Sequence, residues 1–408
     1  MLSATPTLAT ARQDDAVLSR YRIVIDVFVV GTLCTLGIAG NLLSIVVLGR
    51  DRSIRRTTGF MLQMLAVADA VYLVTCLFFQ TLNCVDERLA DWLPAAVGRH
   101  WPYVEVYAWP MASVAQTAAV WLVVVLTADR FVAICRPLHA AHYSTMTRVR
   151  RAVATVWMMA ILYNLPRFFE RVVIDVDVSA DNSTIASQQI VTATSPATDA
   201  LSVTSSPRTV VDGRRVAVHK TAMRDNPVYF LVYKTCMFFV VRFLIPFTAL
   251  AFFNQRLIRA MRESDQIRRR STRGVAAAGG KERQYTRTLV VVVVVFVVCE
   301  LPDLTLRAWI ALNHYAPAHV AFPRSRLLYV NTASNLLLTI NSCINFVIYC
   351  FMGRRFRLIL IRTLGCGGRQ RRGRTFQDTR PAAVCVRHSH SRFTVNSFRS
   401  RRRRRRTV

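Results

Sequence analysis

Residues 60–82 read FMLQMLAVADAVYLVTCLFFQTL and include a single charged side chain, Asp69, near the centre. At about 1.5 Å per residue, an α-helix of this length crosses the roughly 30 Å hydrocarbon core of a bilayer. A helix also satisfies its backbone hydrogen bonds internally, which is necessary where no water is available. This stretch therefore predicts a membrane-spanning helix with one ionisable group inside it.

Further stretches of comparable length and apolar character flank this one on both sides. Together they predict an all-α membrane protein, a bundle of seven transmembrane helices. The predicted helices cover about residues 22–48, 60–82, 103–134, 152–169, 227–253, 288–312 and 327–352.

The charge of the chain agrees with this fold and predicts its orientation. The formal net charge is +31, although 53% of the residues are hydrophobic and the mean hydropathy is +0.30. Nucleic-acid binding is the first competing interpretation, but apolar runs as long as a bilayer is thick separate the basic residues. These residues collect in alternate connections, including loop 254–287, and in the tail 365–408. The positive-inside tendency makes those segments cytoplasmic and the N-terminal residues 1–21 extracellular.

The segments outside the helices carry three further predictions. The extracellular loop 170–226 has no helical period and is expected to be mostly irregular, with a glycosylation sequon at Asn182. Residues 353–364 alternate basic and apolar positions, which predicts an amphipathic eighth helix on the membrane surface. Cys366 beyond it is a candidate for palmitoylation, and we expect the Arg-rich tail to lie near anionic lipid headgroups.

Several polar side chains lie where a bilayer tolerates them poorly. Asp69 in the second helix has amide and hydroxyl counterparts in the first and seventh helices. The whole group is Asn41, Asp69, Asn341, Ser342 and Asn345. A carboxylate with such partners can bind a small cation such as sodium, or can join a hydrogen-bond cluster that ties three helices together. The residues leave both alternatives open, and no other metal is expected.

The inner end of the third helix carries the motif that narrows the family. Residues 126–138 read LTADRFVAICRPL, which resembles the Asp-Arg-Tyr signature of rhodopsin-like G-protein-coupled receptors. The resemblance implies that Arg130, between Asp129 and Phe131, pairs with its acidic neighbour when inactive and meets the G protein when active. It also implies a second acidic partner on the sixth helix, for which Glu282 is the candidate. The alternative for Glu282 is a solvated loop charge.

Other landmarks follow in the order and with the spacing of that family. They are Gly40-Asn41, residues 65–69, Trp157, Pro246, FVVCELP at 296–302 and NFVIY at 345–349. In the last of these, the resemblance implies that Asn345 and Tyr349 belong to the activation switch.

Some positions depart from the family pattern. Glu300 replaces a Trp, Phe346 replaces a Pro, and Asn254 replaces a Tyr. Burial favours the neutral form of a carboxyl group such as that of Glu300 unless a cation is near. The family's disulfide between the third helix and the outer loop is missing, because Glu105 takes the helix position and loop 170–226 contains no Cys. The outer loop is therefore expected to be less ordered.

The class of ligand is narrowed by further positions. Ala112 stands where amine receptors carry an Asp, and Thr339 stands where visual pigments carry a Lys, which disfavours both classes. Four segments resemble the invertebrate FMRFamide neuropeptide receptor group: VAQTA at 114–118, YNLPRFFE at 163–170, Pro246-Phe247 leading to Asn254, and NLLLTINS at 335–342. The resemblance implies a plasma-membrane receptor for an FMRFamide-like or other amidated peptide that activates a heterotrimeric G protein. Arrestin and receptor kinases are further expected partners.

A ligand with an Arg and a C-terminal aromatic amide needs a carboxylate, an aromatic wall and amide partners in the cavity. The carboxylate candidates are Glu105, Glu300 and Asp303, the aromatic candidates are Phe79, Trp109 and Trp309, and the amide candidates are Gln80 and Gln116. The alternative for the aromatic residues is ordinary packing. Arg167 and Glu170 are the remaining charged pair expected at the mouth.

Other function classes compete with a peptide receptor. A rhodopsin-like receptor for another ligand class would keep the same helices and motifs. A transporter or channel predicts paired helix breaks or a polar stripe, which the sequence does not show. An intramembrane enzyme would need a zinc or serine motif in a spanning segment, and the sequence contains neither. We therefore expect no enzymatic activity and no cofactor.

Overall fold

The computed structural model describes residues 20–51, 56–82, 95–136, 144–177, 210–211, 214–270, 279–315 and 324–365, together with Val17. These residues belong to one compact unit, Met1–Cys366. The predictions for Asn182, Cys366 and the basic tail 367–408 lie outside the described residues.

Seven long helices and one short final helix make up most of the described chain. Two of the long helices, the first and the fifth, include a π-helical segment near their N-terminal ends, and the second ends in one. The helices are α1 (Ile23–Val30, then Gly31–Arg50), α2 (Arg56–Cys76, then Leu77–Leu82), α3 (Ala95–Cys135), α4 (Met146–Asn164), α5 (Pro227–Tyr229, Phe230–Leu244, then Ile245–Arg270), α6 (Gly279–Tyr315), α7 (Arg324–Met352) and α8 (Arg354–Thr363).

Six of the seven long helices are long and apolar enough to cross a membrane, as judged from the described residues. The remaining one, α6, contains the predicted window 288–312 with its run of valines. Lipid requires such segments to be helical because each backbone N–H and C=O must find a partner within the segment. The predicted set of seven long helices is confirmed.

The helices form a closed bundle in which α3 occupies the middle. It contacts α2, α4, α5 and α6, whereas α7 closes the ring by packing on α1 and α6. Leu122 and Leu126 of α3 and Leu250 of α5 are almost completely buried in the shared core. Pro302 interrupts the hydrogen-bond ladder inside α6, and such a residue is a common cause of a kink in a helix.

The approach of α1 to α7 depends on glycine. A Cβ at Gly37 would lie 2.8 Å from Cδ1 of Leu73 and would overlap Sγ of Cys343. A Cβ at Gly40 would lie 3.0 Å from the ring of Phe346, the residue that replaces the family's Pro. The two helices therefore come together at positions where no side chain separates them, as small residues allow in membrane bundles.

We expect Gly37→Ala to destabilise the protein by about 1–3 kcal/mol, since overpacking a filled core costs that much. Gly49→Ala is the matched control on the same helix, because its Cβ would meet only the flexible end of Gln63. Thermal unfolding of the two variants in detergent would test this, with a lower midpoint for the first and little change for the second. Equal midpoints would show that the α1–α7 contact can relax.

Three β-strands lie in the outer loop between α4 and α5: β1 (Arg171–Asp177), β2 (Val210–Val211) and β3 (Arg214–Lys220). They form an antiparallel sheet in the order β1-β3-β2, with Arg171 opposite Lys220 and Asp177 opposite Arg214. The prediction of a mostly irregular loop is wrong at both of its ends. The cause is a short alternation of β-branched and polar residues at each end, which pairs only across a long insertion.

The fifth and sixth helices extend beyond their apolar windows on either side of the connection between them. The predicted loop 254–287 is largely helical, since α5 continues to Arg270 and α6 begins at Gly279. Arg, Gln, Glu and Met favour helix nearly as strongly as Ala does. Hydropathy locates only the lipid-facing part of such a helix, so the prediction of a long loop there is wrong.

Candidate functional site

A cavity of about 240 Å³ opens among the helices, at the end of the bundle that carries the β-sheet. Five candidates from the sequence line it: Phe79, Gln80, Trp109, Gln116 and Asp303. Three other candidates, Glu105, Glu300 and Trp309, do not line it. The predicted carboxylates are therefore divided, and only Asp303 faces the cavity.

The two carboxylates that line the cavity are each paired with a basic side chain of the receptor. Oε2 of Glu170 lies 3.3 Å from Nζ of Lys234, and its Oε1 accepts a 2.8 Å hydrogen bond from the hydroxyl of Tyr229. Oδ2 of Asp303 accepts a 2.9 Å bond from Nε of Arg307, one turn further along α6. The expected pairing of Arg167 with Glu170 is wrong, because Lys234 on α5 approaches Glu170 instead.

The buried carboxyl group of Glu300 lies near a cation, Arg242. Oε2 of Glu300 on α6 lies 3.8 Å from Nη2 of Arg242 on α5, and both residues are buried. Nε and Nη2 of Arg242 make no hydrogen bond within the described part of the chain. The charge of Arg242 therefore depends mainly on the nearby carboxylate, and Glu300 serves as an internal counter-ion.

An ion pair stands where the family's outer disulfide is missing. Nη1 of Arg171, the first residue of β1, donates a 3.0 Å hydrogen bond to Oε1 of Glu105 on α3. The guanidinium also lies 5.9 Å from the ring centre of Trp109. Burial and the nearby Arg224 guanidinium lower the pKa of Arg171, and Glu105 opposes that shift. Glu105 thus ties the outer loop to α3.

We expect Glu105→Ala and Arg171→Ala each to lower the thermal stability of the protein, with a coupling of about 1–3 kcal/mol in a double-mutant cycle. Each single change leaves a partly buried charge without its main partner, so the double variant should lose less than the sum of the two. Strict additivity in the unfolding free energies would mean that the two side chains do not hold the loop.

The opposite end of α3 holds another buried cation, Arg130. Nη2 of Arg130 lies 2.5 Å from Oδ2 of Asp129, and Arg130 is only 2% exposed. Oδ1 of Asp129 accepts a 2.6 Å hydrogen bond from Ser144, whose hydroxyl lies 3.3 Å from that of Thr57 at the start of α2. Asp129 is therefore fixed in place by groups from outside α3, and it holds the guanidinium of Arg130.

Aromatic rings surround this inner end. Phe131 lies 5.4 Å from Phe253 and 6.2 Å from Phe252 on α5, measured between ring centres. Tyr349 on α7 lies 5.7 Å from Phe356 of α8. Glu282 falls in the first turn of α6 instead of a loop, and its side chain lies outside the described residues. The structure thus brings Asp129, Arg130 and Phe131 together with α5, and leaves the role of Glu282 a prediction.

The model of a protein family described as '7 transmembrane receptor (rhodopsin family)' matches residues 40–185 and 218–349 of this chain. The chain belongs to the rhodopsin family of seven-transmembrane receptors. The predicted family and the predicted seven-helix bundle are therefore confirmed, and the matched family is one of receptors.

Several relatives of this receptor are named as receptors for FMRFamide or neuromedin-U. It is 26% identical to the FMRFamide receptor of Drosophila melanogaster over 80% of this chain and 51% of the relative. It is 25% identical to an FMRFamide peptide receptor of Caenorhabditis elegans over 81% of the chain and 67% of the relative. The neuromedin-U receptor 1 of Rattus norvegicus is 26% identical over 84% of the chain and 72% of the relative. The chain spans about half the length of the Drosophila receptor.

Inside the membrane, the receptor holds the predicted polar core between its two ends. Nδ2 of Asn345 donates a 2.8 Å hydrogen bond to Oδ2 of Asp69, which is 2% exposed. Nδ2 of Asn41 donates a 3.0 Å bond to the backbone oxygen of Ser342. The side chain of Asn341 makes no hydrogen bond to this group within the described residues. The core therefore joins α1, α2 and α7, but without Asn341.

Sequence analysis missed several basic residues of the receptor. Lys234, Arg224 and Arg307 line the cavity, and Arg242 pairs with Glu300 outside its lining. Lys234 and Arg242 lie within the apolar window of α5, where an ionisable residue normally indicates a function, so their position was the available signal. Their partners lie on other helices and depend on packing.

Proposed function

We propose that this receptor binds an extracellular neuropeptide in its cavity and activates a heterotrimeric G protein at the opposite end of the bundle. The observation that carries the proposal is the pair of polar sites at the two ends of α3, one beside Trp109 and one at Arg130. Relatives that are named for FMRFamide and neuromedin-U support a peptide as the ligand. The role is signalling, with no enzymatic step.

A two-state bundle explains how binding reaches the inner end. Arg130 is held by Asp129, and Phe131 packs on Phe252 and Phe253 of α5. A ligand that binds better when α5 and α6 have moved will favour that state. Movement of α5 would break the aromatic contacts at Phe131 and open a site for the G protein. The buried Arg130 would then be released toward its partner.

Asp69 is proposed as part of the same switch. Its carboxylate accepts a hydrogen bond from Asn345 and so connects α2 to α7. On α7, Asn345 lies five residues after Ile340 and four residues before Tyr349. In this proposal a sodium ion at Asp69 favours one arrangement of the helices. Only one carboxylate is present there, and no group of three His, Cys, Asp or Glu side chains that could hold another metal occurs among the described residues.

The remaining assignments are proposals of the same kind. We place the N-terminus outside the plasma membrane and the basic tail inside, where arrestin, receptor kinases and lipid headgroups would meet it. α8, with Phe356 buried and Leu358 and Ile361 exposed, would lie on the inner membrane surface. Glycosylation at Asn182 and palmitoylation at Cys366 belong to this arrangement.

A panel of neuropeptides applied to cells that express the full chain tests the proposed function. Calcium, cyclic-nucleotide and guanine-nucleotide exchange assays would be read against cells that lack the receptor. We expect at least one peptide to give a saturable response in the receptor-expressing cells alone. A response to amines or lipids, with none to any peptide, would favour the alternative of a rhodopsin-like receptor for another ligand class.

A further inference from the structure

The cavity of the receptor is lined by more cations than anions. Five of its lining side chains are basic: Arg167, Arg171, Arg224, Lys234 and Arg307. Two are acidic: Glu170 and Asp303. The lining therefore carries a formal charge of five minus two, or +3. This sign is opposite to that expected for a pocket that receives a cationic peptide end.

The acidic groups are already committed to basic groups of the chain. Glu170 pairs with Lys234 at 3.3 Å, and Asp303 pairs with Arg307 at 2.9 Å. Arg171 is paired at 3.0 Å with Glu105, behind the lining. A ligand arginine would have to displace one of these internal cations before it gained a carboxylate. Such an exchange replaces one ion pair with another and therefore gives little net attraction.

Two cations lack a carboxylate within ion-pair distance among the described residues, namely Arg167 and Arg224. Arg167 is the deeper of the two, at 5% exposure, and Arg224 belongs to the short helix Ala222–Asp225 that follows β3. A buried cation without a charged partner is costly, because the desolvation of the charge is not repaid by attraction. That cost applies to Arg167, whereas Arg224 is half-buried and partly solvated.

The contacts of Arg167 position it without neutralising it. Its Nε donates a 3.3 Å hydrogen bond to the hydroxyl of Tyr233, and its Nη1 donates a 3.1 Å bond to the hydroxyl of Ser113. The guanidinium lies 5.0 Å from the ring centre of Trp109 and 5.8 Å from that of Tyr233. Its Nη2 makes no hydrogen bond to any described residue. A planar donor is therefore held in place with one nitrogen unused.

Glu170 and Asp303 both act on Arg167 through space, although neither pairs with it, and Asp303 is bound to Arg307. Glu170 is similarly committed. Both of its oxygens are already occupied by Lys234 and Tyr229, so it does not occupy the free nitrogen. An incoming carboxylate would accept a charge-assisted hydrogen bond from Nη2, which is the strong form of such bonds. The ring of Trp109, which lines the cavity, would lie beside it.

We propose that the cavity binds a carboxylate of the peptide ligand against Arg167, with Arg224 as a second, outer cation. This inference rests on the proposed peptide-receptor function and names the chemistry of the ligand. The carboxylate is either a free C-terminus or an Asp or Glu side chain near the end of the peptide. The volume, below the roughly 300–1,000 Å³ of sites that enclose a whole small ligand, fits the tip of a peptide.

Binding of small probes to the purified full-length receptor tests the proposal without any G protein. Thermal unfolding would be followed with N-acetyl-phenylalanine, with N-acetyl-phenylalanine amide, and with N-acetyl-aspartyl-phenylalanine amide. We expect saturable stabilisation by the first and third probes, at least tenfold tighter than any by the second. The tighter of the two carboxylate probes identifies the source of the carboxylate.

Substitutions assign that binding to the cavity. We expect Arg167→Gln and Arg224→Gln each to weaken the carboxylate probes, the former by at least tenfold, and to leave the amide probe unchanged. Arg262→Gln is the matched control, since this exposed arginine lies on the inner part of α5. The second variant keeps the test valid if Arg167→Gln fails to fold.

Equal affinity for the carboxylate and amide probes would overturn the proposal. The proposal would also be overturned if neither carboxylate probe bound saturably at millimolar concentration. Tighter binding of N-acetyl-arginyl-phenylalanine amide than of both carboxylates would overturn it in favour of a cationic ligand. A failure of peptide signalling would appear in the cellular assays and leave these binding results unchanged. The failures of the two proposals are therefore distinguishable.

Discussion

Arg130→Ala is expected to abolish peptide-stimulated nucleotide exchange while the receptor still reaches the cell surface. In the structure the guanidinium of Arg130 is buried and paired with Asp129 at the inner end of α3. Its removal deletes the group that we propose meets the G protein, and the remaining Asp129 keeps its hydrogen bond from Ser144. Exchange in membranes, stimulated with the most active peptide of the panel, measures the effect.

Arg150→Ala is the control for that experiment, because Arg150 is an exposed arginine at the start of α4 on the same side of the bundle. We expect it to signal nearly as well as the unaltered receptor. Undiminished exchange by Arg130→Ala at equal surface abundance would remove the role that we propose for Arg130.

Glu300→Ala is expected to destabilise the receptor by about 3–5 kcal/mol, since it leaves a buried cation without its counter-ion. Arg242 already lacks hydrogen-bond partners for two of its nitrogens among the described residues, and Glu300 at 3.8 Å is its ion-pair partner. Its neighbouring ring, Phe238, lies 5.8 Å away and offers only a weak cation–π contact. Surface abundance and the unfolding temperature in detergent should both fall sharply.

The double variant Arg242→Met with Glu300→Leu should recover most of that loss, because removal of both charges removes the desolvation cost as well. Glu263→Ala, which removes an exposed carboxylate further along α5, is the control and should change little. A double variant as unstable as Glu300→Ala would show that Glu300 acts through something other than Arg242.

The sequence was sufficient for those features that the membrane itself imposes. Lipid tolerates few backbone geometries, so the apolar windows predicted all seven long helices. The sequence also revealed the motif at Asp129 and Arg130 and the polar group that includes Asp69 and Asn345, because ionisable and amide groups are rare inside a bilayer. Helix ends were harder, because α5 and α6 continue beyond the lipid in polar residues that hydropathy does not detect.

Partners across the bundle could not be predicted in the same way. Glu105 and Glu300 were noticed as isolated acids, and Glu170 was given the wrong partner. Each has a basic partner on another element: Arg171, Arg242 and Lys234 in turn. The pairing depends on how each element is rotated about its axis and how closely it approaches its neighbours. The pattern of residues along one sequence does not determine either quantity. The candidate carboxylates for a ligand cation were therefore chosen from the sequence without knowledge of these basic partners.

The central claim is that an odd number of helices crosses the membrane and separates a ligand-binding end from a signalling end. The accessibility of the two termini to antibody tests this claim most directly. An epitope placed before residue 20 should be labelled by antibody on intact cells, and one placed after residue 408 only after the cells are made permeable. Labelling of both epitopes on intact cells, or of neither until the cells are made permeable, would contradict a seven-helix receptor with its cavity outside and Arg130 inside.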